Sequence, residues 1–410
     1  MSESKIVIGA GAAGLTAAAV CAERGCSVVL IEKMERPGRK LRITGKGRCN
    51  VTNATFDLQE LLEHIPTNPR FLYSAFSNFM PYDTIAMLEN LGVPTKIERG
   101  ERVFPVSDDA RDIVDALIRR AKQAGVQFVQ GTVERLELDT SGKRVQAVYL
   151  TSGRRIPCES VAVCTGGSSY PLTGSTGDGY TFARQCGHRI VPIRPALVPL
   201  VCSNNFISEL QGLSLRNIQI RVLQGDKEVY RDFGEMLFTH YGVSGPVVLS
   251  ASSHLTQPER GVYNLHIDLK PALDFEMLDR RVQRDFSALQ NKDLINALGG
   301  LLPRKLIPVF VRRSGLQPSK KVNQISREER HALVRLMKDF DVHITGFRPV
   351  EEAIVTGGGV DVRQVSPKTM GSKLVDNLFF AGEVLDVDGY TGGFNLQIAF
   401  STGTLCGEHM

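Results

Sequence analysis

Residues 5–14 read Lys-Ile-Val-Ile-Gly-Ala-Gly-Ala-Ala-Gly, an apolar run that passes into glycines at 9, 11 and 14. Residues 5–8 are predicted to form a short buried strand, residues 14–24 an alanine-rich helix, and residues 27–32 the next strand. A strand, glycine turn, helix and strand within about 30 residues make a βαβ unit, whose strands pair in parallel through a right-handed crossover. The chain is therefore predicted to start a doubly wound α/β sheet.

The glycine turn also carries a chemical signal. A G-x-G-x-x-G between a strand and a helix lets the backbone approach a pyrophosphate, and the helix N-terminus supplies amide donors and a positive dipole. Glu32 ends the second strand, where its carboxylate can accept both hydroxyls of an adenosine ribose and disfavours a 2′-phosphate. The glycines alone are a weak signal, but together with Glu32 they predict a dinucleotide site.

Composition narrows the class of protein. The chain has 410 residues, 42% of them hydrophobic, and 49 Lys and Arg against 44 Asp and Glu. This net charge of +5 does not by itself imply a polyanionic partner, so nucleic acid is a minority interpretation. The eight cysteines include no C-x-x-C pair and no zinc-type spacing, which favours reduced thiols, a cytoplasmic protein and no metal site. The glycines interrupt residues 6–19 too often for a signal peptide, and no apolar run is long enough for a membrane span.

The pattern along the chain indicates a discontinuous fold. Residues 108–124 have helical spacing, and residues 126–138, 145–150 and 156–164 read as strands. Short strands without a helix follow between about 192 and 270, at 217–223, 228–233 and 263–269. Residues 275–338 are helical, and α/β character returns after residue 349. We therefore predict a first FAD-domain part at 1–190, an inserted β-rich domain at 191–274 with 339–348, a small helical domain at 275–338, and the second FAD-domain part at 349–410.

The helical insert carries a cationic stretch. Its cations are more typical of a solvated helical face than of a polyanion site, although both interpretations remain open. They are Arg304, Lys305, Arg312, Arg313, Lys320, Lys321, Arg327, Arg330 and Arg335.

A second cationic segment follows the ribose carboxylate directly. Residues 36–48 hold six cations and no acid, interleaved with glycines, which predicts a loop that faces an anion such as the FAD pyrophosphate or the reduced flavin. Cys49 comes next, and a cysteine beside Arg48 could be a redox thiol with a lowered pKa. A packed or merely flavin-adjacent cysteine is the more ordinary interpretation.

The end of the chain offers a second half for this site. Residues 378–383 read as a buried strand that ends in Glu383, and residues 395–404 are compatible with a helix opened by Gly392 and Gly393. Such a helix N-terminus suits flavin N1 and C2=O, where negative charge gathers on reduction. No second G-x-G-x-x-G follows a strand.

Five blocks of sequence resemble the BaiN/YhiN-like flavoproteins. The blocks are residues 9–14, 38–53 (GRKLRITGKGRCNVTN), 165–171 (TGGSSYP), 237–246 (LFTHYGVSGP) and 381–395 (AGEVLDVDGYTGGFN). The resemblance covers almost the whole chain. It implies a glutathione-reductase-like FAD domain of Rossmann type, built from both termini and interrupted by a β-barrel-like domain that itself carries a small helical domain.

The resemblance also implies positions that bind FAD. Those that match the family pattern are Gly9, Gly11, Ala13, Gly14, Glu32, Arg39, Lys40, Gly47, Cys49, Thr165, Gly166, Glu383, Gly393 and Asn395. Val133 is added as an adenine contact through its backbone. Neighbouring residues complete the predicted site: Ala12, Lys33, Arg48, Gly167, Gly382, Asp388, Phe394 and Leu396.

The function expected from these residues is an FAD-dependent oxidoreductase that passes a hydride between flavin N5 and a small organic substrate bound against the inserted β domain. The resemblance extends this to NADH- or NADPH-linked reduction of a C=C bond in a 3-oxo-Δ4 steroid or bile-acid intermediate. His240 is a candidate proton donor, although a structural histidine is the more ordinary interpretation, and Cys49 is the other candidate catalytic residue. The alternatives are an oxidase that uses oxygen and an RNA-associated flavoprotein. The oligomeric state is left open.

Overall fold

The computed structural model describes residues 4–255 and 260–410. Its strands, in chain order, are β1 (Ser4–Ile8), β2 (Val28–Glu32), β3 (Thr52–Asn53), β4 (Thr95–Glu98), β5 (Arg102–Pro105), β6 (Gln127–Gln130), β7 (Val133–Leu138), β8 (Val145–Leu150), β9 (Arg155–Val163), β10 (Ile190–Ala196), β11 (Leu200–Cys202), β12 (Ser214–Gln224), β13 (Lys227–Phe238), β14 (Gly242–Ser244), β15 (Tyr263–Asp268), β16 (Phe340–Phe347), β17 (Val355–Val360) and β18 (Leu378–Phe380).

The α-helices of the described residues are also numbered in chain order. They are α1 (Ala12–Glu23), α2 (Arg39–Ile43), α3 (Leu58–Glu63), α4 (Tyr73–Asn78), α5 (Pro81–Asn90), α6 (Ala110–Gln123), α7 (Asp178–Gln185), α8 (Pro246–Ser252), α9 (Phe275–Ala288), α10 (Leu294–Ala297), α11 (Ile307–Ser314), α12 (Arg327–Lys338) and α13 (Phe394–His409).

The described residues form two compact units. The first contains the residues up to Ala196 together with Pro349–Met410, and the second contains Leu197–Arg348. Residues 191–196, which the sequence pattern assigned to the insert, belong to β10, and β10 pairs with β17 of the first unit. The first unit therefore extends to the end of that strand.

The first unit is built on a seven-stranded sheet with the order β6-β2-β1-β9-β8-β7, and β18 pairs with β9 beside this path. β1 is parallel to β2 and β9, while β7 and β8 add antiparallel pairs. Residues 6 to 8 of β1 are almost completely buried, as expected for a parallel strand covered on both faces. The predicted Rossmann-type sheet is confirmed.

The two ends of the chain meet in this unit through helices α1 and α13. A Cβ atom on Gly403 would lie 2.6 Å from the carbonyl oxygen of Ala13, and one on Gly407 would lie 2.5 Å from that of Ala17. Glycines on one helix and alanines on the other allow the two backbones to approach closely. This packing fixes α13 behind the first glycine turn.

The second unit is a closed barrel with the order β11-β14-β13-β12-β15-β16, and it carries α9 to α12 between β15 and β16. One hydrophobic cluster contains barrel residues such as Val222 and Phe340 together with Leu278 and Leu333 of these helices. The prediction of no helix between 192 and 270 is wrong, because α8 begins at Pro246 after Gly245, whose φ is +98°. A proline in the first turn fits a helix start, since its missing N–H has no intrahelical partner there.

Two local predictions in the first unit also need correction. Residues 126–138 form two strands instead of one, because β6 pairs with β2 whereas β7 pairs with β8. Gly131 lies at the break, and its N–H donates to the carbonyl oxygen of Glu32 at 2.9 Å. Residues 36–48 are not a simple loop, since they contain α2 and a 3₁₀ turn at Thr44–Gly47.

No helix among residues 4–255 and 260–410 has the length and apolar character that crossing a membrane requires. The same residues contain no cluster of His, Cys, Asp and Glu side chains that could hold a metal ion.

Candidate FAD site

Of the three glycines in the first turn, Gly11 is the one whose side-chain position is not restricted by other atoms of the protein. Gly9 has φ +99°, and a Cβ on Gly14 would overlap the carbonyl oxygen of Gly9, so both positions are restricted by the protein. Gly11 has φ −86°, and within the described structure no atom lies within 4 Å of the position its Cβ would take. The space over Gly11 is therefore open, as a cradle for a pyrophosphate must be.

Helix α1 presents its N-terminus to the same space. The helix begins at Ala12 and Ala13, and in the described residues no side chain caps its first amides. Its first turn contains no acidic residue, so nothing in the helix opposes an anion there. The open space over Gly11 at this helix start is compatible with a diphosphate, and contacts of Gly9, Gly11, Ala12, Ala13 and Gly14 with FAD stay a prediction.

Glu32 is the residue predicted to bind the adenosine ribose. Its carboxylate accepts hydrogen bonds from the N–H groups of Ala10 at 2.7 Å and Met34 at 2.8 Å, which fixes it at the end of β2. Val133 is buried at the start of β7, next to the break at Gly131. Lys33 points to another partner, Asp178, at 2.6 Å.

Three of the six cations in residues 36–48 are paired with acids from other parts of the chain, namely Lys40, Arg42 and Arg48. Lys40 pairs with Glu383 at 2.6 Å, and Arg42 pairs with Asp115 at 3.0 Å. Arg39 is exposed at the start of α2. The prediction of a loop that faces an anion does not take these acids into account, because they are distant in sequence.

Arg48 is the most strongly engaged of these cations. Its guanidinium pairs with Glu98 and Asp108, the latter at 2.5 Å, and lies 4.0 Å from the centre of the Phe104 ring. The hydrogen bond from Arg48 lowers the pKa of Glu98. Arg48 is therefore held in a local network, and its contact with FAD stays a prediction.

Cys49 is completely buried, with φ +60°. Burial raises the pKa of its thiol to about 11, although a hydrogen bond with Thr44 acts in the opposite direction. The hypothesis of a reactive thiol requires a lowered pKa, so the direction of this shift contradicts it. Gly47, just before it, has φ +85° and supports the turn that buries the thiol.

The loop after β9 meets Glu383 from the other end of the chain. The Glu383 carboxylate accepts hydrogen bonds from Lys40 and from the Thr356 N–H, the latter at 2.9 Å, and it lies 3.2 Å from the Ser169 hydroxyl. A Cβ on Gly167 would overlap the Thr356 hydroxyl. The segments that contain the Glu383 contacts are rich in glycine. They include Thr165, Gly166 and Gly167 after β9 and Gly382 after β18.

The segment before α13 is held by its own side chains. Asn395 accepts a hydrogen bond from the Gly389 N–H at 2.9 Å and donates to the Gly389 carbonyl oxygen at 2.7 Å. Gly393 caps α13 with φ +108°, and a Cβ there would overlap the backbone of Thr52. Asp388 and Phe394 are buried, and Leu396 packs against the core of the first unit. This places a bare helix N-terminus in the same unit as the glycine turn.

His240 lies in the second unit, in the turn between β13 and β14. It is exposed, and its ring lies edge-on to Tyr241 at 4.8 Å between centroids. Its role as a proton donor stays a prediction.

Sequence reasoning did not identify two residues of this arrangement. Thr356 anchors Glu383, and Arg194 approaches buried Asp388 at 3.5 Å. The run Gly357-Gly358-Gly359 beside Thr356 was the available signal, because three consecutive glycines inside a strand mark a place where other groups approach the backbone.

Comparison with known proteins places this arrangement in context. A family model described as the HI0933-like protein Rossmann domain matches residues 3–409. The ribosomal RNA dihydrouridine synthase of Escherichia coli is 33% identical over 99% of this chain and 97% of that protein. The 3-dehydro-bile acid delta(4,6)-reductase of Clostridium scindens is 32% identical over 98% of this chain and 97% of that protein.

Solved structures show the fold. A 3-ketosteroid delta1-dehydrogenase from Sterolibacterium denitrificans matches with a TM-score of 0.51 and 12% identity, over 99% of this chain and 98% of that one. At this identity the likeness extends to the architecture alone.

Proposed function

The chain belongs to the HI0933-like family of FAD-dependent oxidoreductases, and on that premise we propose that it reduces a carbon–carbon double bond conjugated with a carbonyl group. The resemblance to the BaiN/YhiN-like flavoproteins is confirmed by the same match. The observation that carries the proposal is the nearly equal, full-length similarity to two relatives with different substrates in their names. A Δ4,6 reduction in a 3-oxo steroid and the formation of dihydrouridine both saturate a C=C bond next to a carbonyl.

The residues of the first unit fit the cofactor that this reaction needs. Gly11 leaves open space at the N-terminus of α1, and the Glu32 carboxylate is already fixed by two backbone N–H groups. Reduction of the substrate adds a hydride to the β-carbon and a proton to the α-carbon. Bound FAD, once reduced by NADH or NADPH as the proposed electron donor, would supply the hydride and return to its oxidised form.

We propose a small 3-oxo-Δ4 compound as the first substrate class. The Clostridium scindens relative supports this class by its name. The cations at 304–335 in the second unit give little support for a polyanionic substrate, because several of them are paired with acids. The pairs are Arg312 with Glu209, Lys320 with Glu329, Lys321 with Asp293, and Arg330 with Asp279.

A uracil base in ribosomal RNA is the second candidate substrate, and the Escherichia coli relative is the observation that favours it. In both candidates the reaction saturates a C=C bond conjugated with a carbonyl group. The candidates differ in whether that group belongs to a free small molecule or to a base of an RNA chain. A salt-dependent affinity for ribosomal RNA fragments would favour this second candidate, since phosphate contacts weaken steeply with salt.

The test is an anaerobic half-reaction. The FAD-loaded protein is reduced with NADH, NADPH or light and then mixed with 4-androstene-3,17-dione or with a uridine-containing ribosomal RNA fragment. Recovery of the oxidised flavin absorbance and a product that has gained two hydrogen atoms are expected with one of them. If neither acceptor reoxidises the flavin but added oxygen does so rapidly, the protein is an oxidase instead.

A further inference from the structure

The structure contains a slot for the side chain of Arg194. Arg194 on β10 lies opposite Gly357 on β17. A Cβ on Gly357 would lie 2.8 Å from Cζ and 2.9 Å from Nη1 of Arg194. The next two glycines have φ +81° and +135°, where the backbone itself favours glycine, but Gly357 does not have a positive φ. Its missing side chain therefore admits the guanidinium.

The guanidinium is oriented but incompletely hydrogen-bonded. Its Nη2 lies 3.4 Å from the Thr67 hydroxyl and 3.5 Å from the Asp388 carboxylate, at the outer limit of a hydrogen bond. Its Nη1 is buried and has no acceptor among the described residues. An arginine has five N–H donors, and 32% of this side chain is exposed. Donor capacity is thus left for a further acceptor.

The slot borders the candidate FAD site. Thr356, next to Gly357, donates its N–H to Glu383 at 2.9 Å. Asp388 belongs to the segment that leads into α13, whose N-terminus we expect at the flavin. Arg194 is therefore a fixed cation beside the residues predicted to surround the reactive end of the cofactor, and all of these residues belong to the first unit.

We propose that Arg194 binds the carbonyl oxygen of the substrate. This inference rests on the proposed function: hydride addition to the β-carbon of a conjugated C=C bond places negative charge on the carbonyl oxygen until a proton reaches the α-carbon. An N–H donor of a positioned cation at that oxygen stabilises the charge where it develops. The planar guanidinium suits this task better than a lysine ammonium, because it is rigid and presents parallel donors.

The test compares Arg194→Gln and Arg194→Lys with the wild-type protein. Arg189→Gln is the matched control, since Arg189 is an exposed cation immediately before the same strand. FAD content, melting temperature and flavin midpoint potential are measured first. The affinity of the oxidised protein for 4-androstene-3,17-dione and the rate at which the anaerobically reduced protein reduces it follow, with the ribosomal RNA fragment as a second acceptor.

Arg194→Gln is expected to bind FAD at an unchanged potential, to bind the steroid more weakly and to transfer hydride about 100-fold more slowly. Arg194→Lys, which keeps a charge beside Asp388, is expected to lie between it and the wild type. If either variant reduces the steroid at the wild-type rate, the inference is overturned. If Arg194→Gln does not fold, the rate of Arg194→Lys provides the test. A lower flavin potential with unchanged steroid affinity would show that the acceptor is a flavin carbonyl. If the wild-type protein reduces neither acceptor, the proposed function itself fails, and this role of Arg194 with it.

Discussion

Glu32 and Glu383 come from opposite ends of the chain, and hydrogen bonds within the protein orient each carboxylate. Glu32 is held by backbone N–H groups, and Glu383 by Lys40 and the Thr356 N–H. A carboxylate that is already oriented loses little conformational freedom when it accepts a ligand hydroxyl. Both residues are therefore suited to bind sugar or ribityl hydroxyls.

Replacing Glu32 with alanine should weaken FAD binding, because the ribose hydroxyls lose their acceptor. Hydrogen bonds to a charged group contribute about 1.5–3 kcal/mol each, so the dissociation constant should rise by roughly tenfold or more. Equilibrium dialysis of the apoprotein with FAD measures this. Glu35→Ala, at an exposed acid just after the strand, is the control. Equal affinities in the two variants would contradict the assignment of Glu32.

The buried thiol of Cys49 should resist alkylation. With a pKa of about 11, roughly one thiol in a thousand is ionised at pH 8, and only the thiolate reacts rapidly. Mass spectrometry after treatment with iodoacetamide should find Cys49 unmodified in the folded protein and modified after denaturation. Rapid labelling of Cys49 in the folded protein would restore the reactive-thiol hypothesis.

At the scale of elements, the start of α13 depends on Gly393. Gly393→Ala adds a Cβ that overlaps the Thr52 backbone at a φ of +108°, so we expect a loss of a few kcal/mol in the free energy of unfolding and a lower FAD content. Gly153→Ala is the matched control, because its φ is +81° and no atom of the described structure lies within 4 Å of the added Cβ. It should cost on the order of 1 kcal/mol. Thermal denaturation compares the two, and equal losses would show that the overlap with Thr52 is relieved.

The same helix should raise the midpoint potential of the flavin. If the N-terminus of α13 faces flavin N1, the reduced flavin should be an anion at neutral pH, and its midpoint potential should exceed that of free FAD. In Gly393→Ala protein that still binds FAD, losing a helix-terminus interaction of ~1 kcal/mol should lower the potential by roughly 20 mV. Spectroelectrochemical titration resolves this difference. An unchanged potential would place α13 away from the flavin.

The elements were largely predictable where a single periodic pattern decides them. The first strand, helix and strand fall within a few residues of their predicted bounds, because buried parallel strands and a glycine turn leave a strong local signal. The break at Gly131 was missed, since it depends on two neighbouring segments choosing different partner strands. The ion pair between Lys40 and Glu383 was also missed, because no local pattern shows a contact between residues so far apart in the chain.

At the scale of the molecule, the described residues contain one Rossmann-type sheet, and their second unit is a barrel with helices. The sequence likewise has no second G-x-G-x-x-G after a strand. NADH or NADPH should therefore reduce the flavin and leave before the substrate enters. Initial-rate plots should give the parallel lines of a ping-pong mechanism. Intersecting lines, or tight binding of NAD to the oxidised protein, would contradict this order.

The contact between α1 and α13 joins two parts of the first unit that are translated far apart. A ribosome releases β1, the glycine turn and α1 before the barrel, whereas the glycines of α13 that pack on Ala13 and Ala17 are made after it. The barrel of the second unit is complete in the nascent chain before α13 exists, and domains generally fold as units during synthesis. The alanine-rich face of α1 therefore waits uncovered while the intervening residues are translated. The packing that positions α13 can therefore form only after the barrel residues have been translated.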